Sequence, residues 1–138
     1  MNKTKVTIES TVNANLPKVW DYWTKPDHIV NWNFASDDWQ CPRSENDLRP
    51  GGKMSSRMEA KDGSFGFDFE AIYDEVINHK KIAYTMGDGR QAITFFETVG
   101  DQTKVTTTFD ADNAHPVEFQ KGGWQAILNN FKKYVELK

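Results

Sequence analysis

The stretch from Pro116 to Lys138, PVEFQKGGWQAILNNFKKYVELK, decides the fold. Trp124, Ile127, Leu128, Phe131, Tyr134 and Val135 recur at spacings of three and four, a wide apolar stripe backed by polar residues. No other segment is both long enough and periodic enough for a substantial helix. Almost everything from Gly52 to Phe109 reads instead as strand. One long helix therefore has a curved sheet to lie against, which predicts a cupped hydrophobic interior.

Working back from the helix, Gly122-Gly123 costs about 1 kcal/mol per residue relative to alanine in a helix interior. Two readings are open: a bend or close contact with the sheet, or a regular helix that starts only after Gly123. Strands are expected at Lys104–Ala111, Gln91–Thr98 and Lys81–Met86, joined at Gly100-Asp101 and Asp88-Gly89. Phe65, Phe67, Phe69, Ala71 and Tyr73 alternate along another strand, and Lys61-Asp62-Gly63-Ser64 has hairpin composition. Gly52 to Met58 enters its partner strand.

Asn33 to Gly52 is the weakest reading. Pro42, Pro50 and Gly51-Gly52 punctuate it, while Phe34 and Trp39 are too bulky for a wholly solvated segment. A folded-back loop or short-helical cover is expected there, not disorder. Before it, Val6, Ile8 and Val12 alternate over a first strand, Lys5–Val12. Asn13-Ala14-Asn15 turns into a short helix, with Pro17 in its first turn and Val19, Trp20 and Trp23 on its apolar side. Thr24 is expected to cap a second short helix through Pro26 and Asp27, with Ile29 and Trp32 facing inward. The expectation is an α+β chain: six antiparallel strands, two short helices after the first, and a long helix last.

At 138 residues the chain is read as a single domain, 1–138, burying roughly two thirds of its unfolded surface. Hydrophobic residues are only 38%, but five Trp and nine Phe supply large area from few positions. The formal charge is -3 and the basic residues are scattered, which argues against nucleic-acid or anionic-membrane partners. Met1-Asn2-Lys3-Thr4-Lys5 lacks the apolar run of a signal peptide, and no window suits a membrane span. A cytoplasmic protein is the default expectation. Cys41, the single cysteine, cannot form an internal disulfide and reads as an incidental loop thiol.

Val19-Trp20 with Trp23-Thr24-Lys25-Pro26, then Trp32 and Asp47-Leu48-Arg49-Pro50-Gly51-Gly52, resemble the activator-of-heat-shock-protein-ATPase homologue family. Phe67-Asp68-Phe69, Tyr73, Glu75-Val76, Tyr84-Thr85, Gly123-Trp124 and Ile127-Leu128-Asn129-Asn130-Phe131 continue the resemblance in order over nearly the whole chain. The family sits in the START-like (SRPBCC) superfamily. The resemblance implies a helix-grip fold, its sheet wrapped around the terminal helix and a cavity between them. Across that superfamily such cavities take lipidic, aromatic or polyketide-like molecules. The family is named for a eukaryotic co-chaperone with two domains, of which this chain resembles one. A protein-interaction or chaperone ATPase-regulating module is thus the third expectation, behind binding of a small hydrophobic or amphipathic molecule and behind a cyclase- or hydrolase-like enzyme.

Family analogy places Trp32, Phe34, Trp39, Phe67, Phe69 and Trp124 near the opening, as core or cavity wall. Leu128 joins them from the helix, while Trp20, Trp23 and Phe131 read as core. Tyr73 and Tyr84 combine a large ring with a hydroxyl that needs a partner when buried, so each suits either a polar pocket contact or plain packing. These nine residues, Trp32, Phe34, Trp39, Phe67, Phe69, Tyr73, Tyr84, Trp124 and Leu128, are the candidate ligand-binding set.

Catalytic and metal signals are weak. His28, His79 and His115 show no i, i+4 pair, so no metal or other cofactor is expected. His28 could edge the cavity; His79 reads as a solvated turn and His115 as locally bonded beside the long helix. Arg49-Pro50-Gly51-Gly52 lacks the lysine and spacing of a phosphate loop, and its glycines serve a turn. Asp37-Asp38 after Ser36 suits a short-helix start better than an acid–base pair. Asp68 and Glu70 should face water opposite the phenylalanines. Arg57 and Arg90 are expected on the surface, or as pocket groups if their faces turn inward.

Overall fold

Alternation and turn chemistry produce ten elements, in a computed structural model that describes residues 4–138. Met1–Lys3, part of the segment lacking a leader-like run, lie outside the described residues. β1 (Lys5–Val12) leads to α1 (Leu16–Thr24) and α2 (Pro26–Ile29). Then come β2 (Trp39–Asn46), β3 (Lys53–Ala60), β4 (Gly66–Ile77), β5 (Lys81–Met86), β6 (Gln91–Val99) and β7 (Gln102–Asp110). α3 (Val117–Glu136) follows. The strands form one antiparallel sheet in the order β1-β7-β6-β5-β4-β3-β2. The chain adopts the expected α+β helix-grip architecture, with seven strands in place of six.

The added strand is β2, inside the segment expected to be a loop or helical cover. Pro42 made that reading natural, because proline lacks the N–H a ladder needs. The strand is compatible with it for two reasons: β2 is the outermost strand of its edge, and its register with β3 shifts between Gln40 and Arg43. Cys41 lies at that shift and is buried, so it is a strand residue and not an incidental loop thiol. Burial pushes its thiol up.

Asn15 caps α1, its side chain accepting from the Lys18 N–H at 3.1 Å, with Pro17 in the first turn. Thr24 does not cap α2. Its hydroxyl instead donates back to the Trp20 carbonyl at 2.8 Å, and Lys25 stands at the cap position without a side-chain bond. Ser36 donates to the Asp38 carboxylate at 2.5 Å within a turn; no helix starts there.

α3 runs unbroken through Gly122-Gly123, so the helix does not begin after the pair. A side chain at either glycine would meet open space, which also removes the close-contact reading. The buried face of α3 is Gln120, Leu128, Phe131 and Val135. It packs chiefly on β1 and touches α1, not the Phe67–Tyr73 face expected to receive Ile127, Leu128 and Phe131. Phe131 is fully buried, edge-on to Trp23 at 4.9 Å and to Trp32 at 4.8 Å. The Asn130 amide donates to the Trp32 carbonyl at 2.9 Å, and Glu136 accepts the Asn13 N–H at 2.8 Å. α3 is therefore fastened along one side of the sheet, leaving β3 to β5 facing it across a gap. No helix among the described residues is long and apolar enough to cross a membrane.

Candidate functional site

Register decides which side chains share the concave face. One row runs Tyr73, Tyr84, Ala92, Phe109 and Val6 across β4, β5, β6, β7 and β1. A second runs Ile82, Thr94, Thr107 and Ile8. At the far side, Asn46 faces Met54, Ser44 faces Ser56, and Ser56 in turn faces Phe69. Ala92 stops at its Cβ between two aromatic rings, so the first row is low in the middle. Neither the sheet nor α3 fills that space, and a cavity of about 320 Å³ results, at the lower end of ligand-pocket sizes.

Its apolar wall includes Trp23, Trp32, Ile82, Phe69, Trp124 and Leu128. Trp32, Phe67, Phe69, Tyr73, Tyr84, Trp124 and Leu128, all expected at the cavity, do line it. Phe34 and Trp39 do not. Phe34 directs its N–H to the Trp32 carbonyl at 2.8 Å beyond the end of α2. Trp39 opens β2 opposite Ala60, at the tip of the β3–β4 hairpin, with Phe65 at 6.0 Å and Phe67 at 6.3 Å. Trp23, expected as core alone, contributes both to the packing of Phe131 and to the wall. Its ring and that of Trp32 stack at 5.0 Å.

His28 is absent from the cavity edge. Its ring stacks on Tyr22 at 3.8 Å and its Nδ1 lies 2.8 Å from the Tyr134 hydroxyl, so it ties α2 to α1 and α3. His79 holds a left-handed turn at φ 64° and is half-buried beside Trp20, less solvated than expected. His115 is locally bonded as expected, to Asp112 at 3.2 Å. Among the described residues, no group of three or more His, Cys, Asp and Glu could hold a metal ion.

Asp68 and Glu70 face solvent on the other side of β4, paired with Arg43 and Lys53 respectively. Arg57 remains at the surface with Glu59 at 3.2 Å and Asp68 at 3.6 Å. Arg90 takes the less favoured of its two expected places: it lines the cavity. So do Ser44, Asn46, Ser56, Thr94, Thr107, Asp112 and Gln120, polar groups that the search for aromatic residues passed over. Strand parity carries the signal for most of them: Ser56 keeps step with Met54 and Met58, Thr94 with Ala92, and Thr107 with Phe109. Arg90, in a turn, has no such signal.

The polar groups are mostly committed. Thr94 and Thr107 bond each other at 2.8 Å. Tyr73 donates to the Asn46 side chain, and the Asn46 amide donates to the Thr24 carbonyl at 2.5 Å. Gln120 accepts the Asp112 N–H at 2.7 Å and donates to the His115 carbonyl at 2.8 Å, locking the loop before α3. Burial pushes the Tyr73 phenol up to about 12, against the opposing bond to Asn46. Burial also raises Tyr84, with the neighbouring Tyr73 adding to it and Arg90 opposing. Asp112 is held below the usual carboxylate range: burial works the other way, but bonds from the Ala114 N–H and from His115 outweigh it. The arrangement is thus an apolar chamber with a few polar groups on its walls, the charged Arg90 among them.

The family model described as "Activator of Hsp90 ATPase homolog 1-like protein" matches residues 13–136. An AHSA1-like protein from Aeromonas hydrophila, solved by solution NMR, is 41% identical with a TM-score of 0.92, covering 97% of this chain and 93% of its own. A Cytophaga hutchinsonii protein is 47% identical with a TM-score of 0.84, covering 96% of this chain and 92% of its own. A Chromobacterium violaceum protein shares the fold at 19% identity, with a TM-score of 0.85 and coverage of 96% of each chain. No functionally curated protein matches the sequence.

Proposed function

We propose, for a chain that belongs to the Activator of Hsp90 ATPase homolog 1-like family, that it binds a small hydrophobic or amphipathic molecule between sheet and α3. The observation that carries this reading is the cavity itself, about 320 Å³ with an aromatic and aliphatic wall and a few placed polar groups. Burying an apolar ligand there removes its surface from water at about 25 cal/mol per Å². Acid–base catalysis draws no support from the same walls. Tyr73 and Tyr84 are pushed up and Asp112 down, each away from the neutral range where a general acid or base works best.

The test is a heteronuclear NMR titration with fatty acids, flavonoids, sterols and nucleotides, read at the indole N–H signals. Trp23, Trp32 and Trp124 should shift with at least one apolar class. Trp39, outside the cavity, is the internal control. Shifts at Trp39 alone, or at no indole, would remove this function.

One observation favours a second reading, docking to an Hsp90-type chaperone as the family description suggests. Phe65 is 61% exposed and Phe67 42% exposed, and with Trp39 they form an aromatic cluster at the tip of the β3–β4 hairpin. A pull-down with a matched chaperone followed by an ATPase assay is expected to show loss of capture in Phe65→Ser. Absence of capture by the native chain ends this reading.

A further inference from the structure

We propose that the mouth of the cavity is a head-group site for the carboxylate of an amphipathic acid, with Arg90 and Tyr84 as its donors. This rests on the ligand-binding reading and specifies the ligand's chemical class.

Position comes first. Arg90 ends the β5–β6 turn, where Gly89 takes a φ of 90°, and Asp112 follows β7. The Gln91 N–H donates to Asp110 at 2.9 Å, which brings the turn and that loop to one end of the sheet. Gln120 pins the same loop to the first turns of α3. Arg90 and Tyr84 therefore stand at this mouth, while Ile82, Ile8 and Leu128 lie deeper. A polar head at the mouth and an apolar tail inside match that division.

The chemistry of the donors follows. The Arg90 Nε donates to Asp88 at 2.7 Å and its backbone N–H to the same carboxylate at 3.1 Å, so the root of the side chain is clamped. Its side chain is only 23% exposed, low for an arginine. The two terminal guanidinium nitrogens have no acceptor among the described residues, although the planar fork suits a carboxylate's two oxygens. The Tyr84 hydroxyl has no hydrogen-bond partner among the described residues either. Among those residues no fully buried side-chain polar atom lacks a partner, so this hydroxyl opens onto the cavity.

Competing carboxylates are accounted for. Asp112 also lines the mouth, but its oxygens take the Ala114 N–H at 2.9 Å, the His115 N–H at 3.0 Å and the His115 ring at 3.2 Å. Glu45 lines the cavity as well, from the far edge strand β2, where it is solvent-exposed. Asp88 occupies Nε and leaves the terminal nitrogens open. Two sets of donors thus converge without an internal acceptor.

Octanoate and 1-octanol share a tail length and differ at the head, so they separate this inference from the reading beneath it. Binding is measured by NMR titration of the native chain, Arg90→Gln and Tyr84→Phe. The native chain should prefer octanoate by about tenfold, the scale of one charge-assisted contact. Arg90→Gln should erase that preference while octanol binding stays within about twofold. Tyr84→Phe, which removes one oxygen and keeps the ring, should weaken octanoate about threefold and carries the test if Arg90→Gln does not fold. Equal native affinity for the two probes, or equal weakening of both in Arg90→Gln, overturns the head-group site and leaves cavity binding standing. Failure of both probes to bind overturns both.

Discussion

Phe131→Ala is expected to lower the unfolding free energy by about 3–5 kcal/mol in urea, the range for deleting a buried aromatic ring. The ring is wholly excluded from solvent and meets Trp23 and Trp32 edge-on, so its removal strips contacts from three elements at once. Those neighbours cannot collapse into the gap easily, because Trp32 is fixed through its indole N–H to the Tyr22 carbonyl at 2.9 Å. A domain's whole stability is about 5–15 kcal/mol, so this one change threatens folding. Trp124→Ala should cost less, since the half-buried indole already borders open space and its main partner is Phe109, stacked at 4.0 Å. It should weaken ligand binding instead. Equal, small losses at both positions would contradict the separation of core from cavity wall.

Gly52→Ala is expected to destabilise by about 3 kcal/mol, the upper end of an overpacking penalty. A Cβ at Gly52 would sit 2.0 Å from the Asp47 carbonyl oxygen, and backbone cannot yield as a flexible side chain does. The same residue accepts the Tyr73 N–H at 2.9 Å while Gly51, at φ 83°, donates to the Tyr73 carbonyl at 2.8 Å. Displacing the loop therefore pulls on Tyr73 in the cavity wall. Thermal and urea unfolding of the variant should fall together, with shifted Tyr73 and Asn46 resonances. A variant as stable as the native chain would mean that the loop can re-form around the added methyl group.

How much of this could be read from the chain depended on the kind of signal. Periodicity located α3 and the alternating strands, because a half-buried element must repeat its apolar residues. The two glycines in α3 misled because propensity is a weak term beside the packing of Leu128, Phe131 and Val135. Facing relationships were harder. Which strand α3 touches depends on where the sheet curls, so Phe131 met Trp23 and Trp32 in place of the Phe67 face. Large aromatics pointed to the cavity, and Trp32, Phe69 and Trp124 lie there. Phe34 and Trp39 have the same composition signal but belong to segments beyond it. Arg90 could be named as a pocket group only if its face turned inward, because the direction of a turn side chain is set by tertiary contacts, here its clamp to Asp88.

The outermost strand has a bearing on how copies of this protein share a crowded solution. An open sheet edge offers unpaired N–H and C=O groups to any passing strand, the route to edge-to-edge aggregation. β2 is such an edge, yet Pro42 removes a donor from its middle and the register shift beside it spoils a straight ladder. Arg43 and Glu45, both exposed, place charge on either side of Ser44. An incoming strand would meet a missing hydrogen bond, a kink and exposed charged side chains within a few residues. The irregularity that disguised this segment as a loop is thus a guard against self-association.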